Sequence, residues 1–100
     1  MNSLIINRGR VELHREDGTL ARTIRNSDAF FADINTRNSL ILVTTSNGRV
    51  ELRTESGLLI RNIGDDNALI AKFSGENILV STCKGIIEVR DMRGALIRLI

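Results

Sequence analysis

The sequence predicts an all-β fold built from one unit of 37–39 residues written three times. Three observations predict it. The pentapeptide GRVEL stands at 9–13 and again at 48–52, and a third version, GIIEV, stands at 85–89. Short β-favouring runs bounded by Gly, Asn, Asp and Ser fill the chain, and none has the length or the period of a helix. Each pentapeptide leads into a polar stretch, a glycine and a second apolar run, which is the layout of a hairpin.

Side by side, the copies contain GRVELHREDGTLARTI (9–24), GRVELRTESGLLIRNI (48–63) and GIIEVRDMRGALIRLI (85–100), at offsets of 39 and then 37 residues. Upstream, DAFFADINTRNSLILVTTSN (28–47) aligns with NALIAKFSGENILVSTCK (67–84). The first copy keeps only MNSLIINR (1–8), where NSLII (2–6) echoes NSLIL (38–42), and it lacks a counterpart of DAFFADI. Such self-similarity marks stacked units, because a single unit cannot bury its own apolar faces. At 100 residues the chain is the size of one domain, 1–100, with repeat units 1–25, 26–63 and 64–100.

Eleven strands follow in order. In the first unit, LII between Asn2 and Asn7 predicts a strand at 3–7. VEL after Gly9 predicts 10–15, and the run after Gly18 predicts 19–25. The second unit predicts 29–34 from AFFADI, 39–45 from LILVTT, 49–54 from VEL and 58–63 from LLIRNI. The third predicts 68–73 from ALIAKF, 78–83 from ILVST, 86–91 from IIEV and 95–99 from ALIRL.

The spacing within the hairpins predicts their turn. Glu12 and Arg22, Glu51 and Arg61, and Glu88 and Arg98 are each ten residues apart. If each Glu faces its Arg across an antiparallel pair, residue 15 faces 19 and the loops are EDG, ESG and MRG. A three-residue loop ends on a left-handed residue, and Gly18, Gly57 and Gly94 stand at that place. The same pairing puts Val11 and Leu13 on one face with Ala21 and Thr23, and Glu12 on the other with Arg22, Leu20 and Ile24. Both faces are largely apolar, so each sheet is covered on both sides, with the Glu–Arg pairs lying between sheets.

The third unit, IAKFSGENILVSTCKGIIEVRDMRGALIRLI (70–100), resembles a blade of a WD-repeat-like β-propeller. An inner strand ends in Phe73-Ser74, GEN makes a turn, Gly85 precedes the third strand, and Arg90-Asp91 stands where that family often has Trp-Asp. The second unit has Arg53-Thr54 at that place and the first His14-Arg15. Gly64-Asp65 lies nearest the position of the family's Gly-His dipeptide. The resemblance implies four-stranded antiparallel blades, about 2.75 of them per chain. GRVEL is then the third strand of a blade. Fewer than four blades do not normally close a ring, so the resemblance implies a ring completed by oligomerisation. The alternative is a self-closed pseudo-three-fold body, a β-trefoil or β-prism.

Composition excludes several functions. Net charge is +2, from 14 basic and 12 acidic residues, so neither nucleic acid nor a membrane surface is an expected partner. With no Trp or Tyr, and Phe30, Phe31 and Phe73 read as core, stacking platforms for bases or sugars are missing. Cys83 stands alone, so an intrachain disulfide is excluded. The N-terminus has neither a long apolar core nor a small-residue cleavage pattern, and a cytoplasmic location is expected. His14 has no second ligand at metal spacing, and no nucleophile motif or phosphate-cradling loop occurs. No enzyme activity and no cofactor or metal are expected.

The expected function is a non-enzymatic binding or scaffold module whose first partner is itself, most simply as a dimer, with another protein as a further partner. The alternative is binding of a sugar or an anionic small molecule by loops repeated around one rim. In a propeller that rim gathers 25–28 and 64–67 with 7–8, 46–47 and 83–84. Its candidate ligand residues are Arg8, Arg25, Asn26, Asp28, Asn47, Asp65, Asp66 and Lys84.

Overall fold

A computed structural model describes residues 2–100. It contains eleven strands: β1 (Ser3–Asn7), β2 (Arg10–His14), β3 (Leu20–Arg25), β4 (Ala29–Asn35), β5 (Leu40–Thr45), β6 (Val50–Thr54), β7 (Leu59–Ile63), β8 (Ala68–Ser74), β9 (Asn77–Thr82), β10 (Ile87–Arg90) and β11 (Leu96–Leu99). Every predicted strand is present, its ends within one residue of those expected. Among the described residues no helix is long and apolar enough to cross a membrane.

The strands form three antiparallel sheets in sequence order: β1-β2-β3, β4-β5-β6-β7 and β8-β9-β10-β11. Each sheet is a blade, and among the described residues the first has three strands and the other two have four. Two apolar clusters hold the blades face to face. Val11, Leu13 and Ile24 of the first blade meet Ala29, Ile41 and Val43 of the second. Leu42, Val50, Leu52 and Ile63 of the second meet Ala68, Ala71, Ile78 and Val80 of the third. Each blade therefore has a forward face and a backward face of different residues, and the two faces of the middle blade are buried by its neighbours.

The predicted turn is present. Gly18 N–H donates to the Arg15 carbonyl at 2.9 Å and Arg15 N–H to the Thr19 carbonyl at 2.9 Å, with Gly18 at φ +87°. Gly57 and Gly94 close the same turn on Thr54 and Asp91.

The pairing beyond the turn is not the one predicted. His14 faces Leu20 as expected, but Leu13 faces Arg22 and Glu12 faces Thr23. Glu51 faces Asn62 and Glu88 faces Leu99, so Glu12–Arg22, Glu51–Arg61 and Glu88–Arg98 are not cross-strand pairs. In each hairpin one residue of the outer strand near the turn, Ala21, Ile60 or Ile97, is left unmatched, and in the first blade Ile24 is skipped as well. Such a bulge adds twist and shifts every later residue by one position, which moves each arginine out of line with its glutamate and revises the predicted sorting of faces. A second correction concerns the first blade. The β1–β2 and β5–β6 registers place Ser3, not Ile5 as the NSLII echo implies, at the level of Ile41.

Candidate functional site

The glutamates of the three β2-type strands are buried between or beside the blades, but with other partners. Residues two apart on a strand share a face. Arg53 Nε lies 2.9 Å from Glu51 Oε1, and Arg90 Nε lies 2.9 Å from Glu88 Oε1. The second Glu51 oxygen takes Arg25 Nη1 at 2.8 Å, across the junction between blades. Arg25, expected on the rim as a ligand contact, is thus committed to an ion pair. The displaced outer-strand arginines bridge blades differently. Arg22 donates to the Ser56 carbonyl at 3.4 Å and Arg61 to the Arg93 carbonyl at 3.3 Å, each reaching the turn of the next blade.

His14 occupies the place of Arg53 and Arg90 and makes the same two contacts. Its Nε2 lies 2.9 Å from Glu12 Oε1 and its Nδ1 3.1 Å from the Gly18 carbonyl. Arg53 and Arg90 make the second contact to the Gly57 and Gly94 carbonyls. A carbonyl only accepts, so both ring nitrogens act as donors when the imidazole is charged. The Glu12 hydrogen bond, then the Gly18 carbonyl, raise the His14 pKa above its ordinary 6.5. The His14 hydrogen bond, foremost, holds the Glu12 carboxyl below its ordinary 4.5. Because the His14 value is raised on folding, its contribution is complete below pH 6.5 and is lost as pH rises through the folded value. The melting temperature is therefore expected to fall between about pH 6 and 8, and His14→Arg is expected to flatten that segment. An unchanged slope in the variant would show that another group carries it.

The expected rim is assembled by backbone hydrogen bonds. Ala29 N–H donates to the Gly9 carbonyl at 2.9 Å and Ala68 N–H to the Gly48 carbonyl at 3.0 Å, so each inner strand hangs from the turn of the blade before it. Ser46 N–H and Cys83 N–H close on the Asp28 and Asn67 carbonyls. Arg8, Asp28 and Asp66 hold positive φ values of 52°, 64° and 61°. Asp tolerates that backbone better than most residues, which accounts for its place in both equivalent loops.

Two depressions open on this rim. Arg8 and Asn26 line one of about 410 Å³ together with Asn7 and Arg10. Asn47 and Asp66 line another, of about 260 Å³, beside Gly48 and Cys83. Asp28 serves its loop backbone, Asp65 lies 3.6 Å from Arg90 Nη2, and Lys84 is exposed at a turn tip. The eight rim candidates therefore do not converge on one pocket. No group of three or more His, Cys, Asp or Glu side chains suited to a metal occurs among the described residues.

The sequence reading missed one apolar feature. Phe30, expected in the core, is 61% exposed. The β4–β5 register slips between Ala29 and Phe31, and the β8–β9 register slips between Ala68 and Ile70. The bulged residues, Phe30 and Leu69, point outward beside Thr45 and Ser46. Phe31 and Phe73 are partly buried, and Lys72 Nζ stands 5.6 Å from the Phe31 ring centroid.

Comparison with known proteins agrees with the blade geometry. No protein-family model matches the sequence, and no curated protein matches it. Solved structures do. BamB from Moraxella catarrhalis superposes with a TM-score of 0.76 at 20% identity, over 99% of this chain and 32% of that one. The Neurospora crassa Pan2 WD40 domain gives 0.73 at 15% identity, over 97% and 32%. The WD40 β-propeller domain of Doa1 gives 0.72 at 14% identity, over 98% and 35%. The chain spans about a third of the length of each of these structures. The fold is that of consecutive β-propeller blades.

Proposed function

We propose that the chain is a non-enzymatic binding scaffold that continues head to tail into a second copy, so that blades from two chains close a ring. The observation that carries this reading is the contrast between equivalent residues on successive forward faces. Thr44 and Val50 are completely buried by the third blade. Their counterparts on the third blade, Ser81 and Ile87, line an open groove of about 190 Å³ with Ile70, Lys72 and Leu79, and Ile87 is 37% exposed. Apolar faces of this kind mark interaction sites.

The polar contacts between blades point to the same join. Arg22 and Arg61 each hold the turn of the following blade, whereas Arg98 has no such acceptor among the described residues. The positions of Gly57 and Gly94 lie against the preceding outer strand, whereas nothing lies within 4 Å of a Cβ built on Gly18. In the assembled ring Arg98 of one copy reaches the Asp17 carbonyl of the next, because Asp17 corresponds to Ser56 and Arg93. Light scattering is expected to return a dimer whose melting temperature falls on dilution. Ile87→Asp is expected to give a folded species of half that mass. A wild-type monomer with concentration-independent melting would sink the ring.

A second reading rests on the depression of Asn7, Arg8, Arg10 and Asn26, whose donors suit a small anion. A thermal-shift screen of phosphate and sugar classes separates the two: stabilisation by one anion class, lost in Arg8→Ala, supports the ligand reading.

A further inference from the structure

We propose that the junction of the second and third blades binds a small organic amine, whose ammonium group meets Asp66 and Asn67 and whose apolar body rests on Phe30 and Leu69. Every residue involved lies at a junction inside the chain, so the site stands apart from the ring and from both ends of the sequence.

The apolar half comes from the two inner-strand bulges. Phe30 and Leu69 are repeat equivalents, since Ala29 and Ala68 just before them pair with Thr45 and Thr82 and hang from the Gly9 and Gly48 carbonyls. Each is the residue its strand leaves unmatched, and each is turned to solvent, at 61% and 52% exposure. A bulge gives up ladder bonds to re-aim one side chain. Both copies here re-aim a large apolar one away from the core. The two come together across the junction, where they line a depression of about 160 Å³ with Thr45, Ser46 and Ala68.

The polar half adjoins it. Ser46, Ala68 and Leu69 also border the depression of about 260 Å³ that holds Asp66 and Asn67. Asp66 is exposed, and no hydrogen bond or ion pair engages its carboxylate among the described residues. Asn67 Oδ1 is buried without a hydrogen-bond partner, alone in this among the side-chain atoms of the described residues. A buried acceptor without a donor is costly, and its Cβ–Cγ torsion is soft enough to turn the oxygen to a donor in the depression. The loop itself is fixed at both ends. Ala68 N–H is bonded to the Gly48 carbonyl at 3.0 Å and Cys83 N–H to the Asn67 carbonyl at 2.8 Å, so the acceptors are held in place before a ligand arrives.

A carboxylate and a neutral acceptor beside an apolar hollow select the ligand. An ammonium carries the charge for Asp66 and further N–H donors for Asn67. A bare metal ion would draw nothing from Phe30 and Leu69, and no group of three metal-ligating side chains stands here among the described residues. Hollows of this size suit a small molecule. The first junction carries the opposite chemistry. Ser27 and Asp28 stand there at the places of Asp66 and Asn67, and the neighbouring depression is lined by Arg8 and Arg10. The sign of the ligand's charge therefore separates the two hollows.

The test titrates the whole isotope-labelled chain with n-pentylammonium chloride, and in parallel with 1-pentanol and sodium pentanoate, which share its apolar length. Amide shifts in NMR spectra are expected to saturate with one dissociation constant and to centre on 30, 45–47 and 66–69. Pentanol is expected to bind about tenfold more weakly, and pentanoate to leave these amides unmoved. Asp66→Asn is expected to weaken pentylammonium binding about tenfold with the fold retained, since Asn also tolerates the left-handed backbone at φ 61°. Leu69→Ser is expected to weaken it about fivefold, and Asp65→Asn, one residue from the site, by less than about twofold. Shifts that do not saturate, pentanol binding as tightly as pentylammonium, or a folded Asp66→Asn that binds undiminished overturns the proposal. Should Asp66→Asn unfold, the ratio of amine to alcohol on the parent chain decides. A lysine peptide, acetyl-Gly-Lys-Gly-amide, that moves the same amides and binds about tenfold more tightly than pentylammonium overturns the assignment to a small amine. Mass in light scattering decides the ring separately, and no outcome of the titration depends on it.

Discussion

Glu51→Ala is expected to lower the unfolding free energy by about 3–5 kcal/mol, the cost of breaking a buried charge pair from one side. The Glu51 side chain is 4% exposed, and both of its oxygens are taken, one by Arg53 and one by Arg25. Removing the carboxylate leaves two guanidinium groups at the junction of the first and second blades. Arg53 also donates to the Gly57 carbonyl at 2.7 Å, so its position is fixed and it cannot swing to water without opening the turn. Denaturant titration gives the loss, and double-mutant cycles apportion it. Strong coupling is expected with Arg53 and Arg25 and none with Arg61. Coupling to Arg61 in place of Arg53 would restore the unbulged register and refute the one described.

The other large effect is expected at Gly48. It holds φ +89°, and a Cβ built there would stand 2.7 Å from the Asp66 carbonyl oxygen and 3.3 Å from the Ala68 nitrogen. Both neighbours are backbone atoms, Asp66 in the β7–β8 loop and Ala68 at the start of β8, and Ala68 ties them to Gly48 by its hydrogen bond. Gly48→Ala therefore combines left-handed strain with a clash that no rotamer relieves, for about 2–5 kcal/mol together. Gly85 is its counterpart in the third blade, at φ +78° with nothing within 4 Å. Gly85→Ala is expected to cost the backbone strain alone, about 1–2 kcal/mol. Equal losses in the two variants would mean that the β7–β8 loop does not seat on Gly48 as described.

The turns and the register beyond them show how far local signals reach. Gly18, Gly57 and Gly94 are read correctly because the turn chemistry is contained in four consecutive residues. The bulges at Ala21, Ile60 and Ile97 stand three residues after those glycines and leave no such mark, since nothing in LAR, LIR or LIR distinguishes a matched residue from an unmatched one. The ten-residue interval between Glu and Arg is real, but it reflects two separate roles repeated once per blade. The glutamate anchors a residue two places along its own strand, and the outer arginine of the first two blades reaches the next turn.

The candidate site divides in the same way. Arg8 and Asn26 lie on one depression as their loop positions imply, whereas Arg25 is drawn away by a carboxylate 26 residues distant in sequence. The exposure of Phe30 was equally hidden, since an aromatic at a strand start reads as core until a register slip turns it outward.

By itself the sequence determined the repeat, the eleven strands, the hairpin turns and the need of each blade for a neighbour, because these rest on periodicity and on the backbone demands of single residues. Tertiary structure alone decided which residues face each other past the bulges, where Glu51 finds its second arginine, and that Phe30 turns outward. Those outcomes depend on the twist of one sheet against the next, a property of two blades packed together that no segment of either one contains.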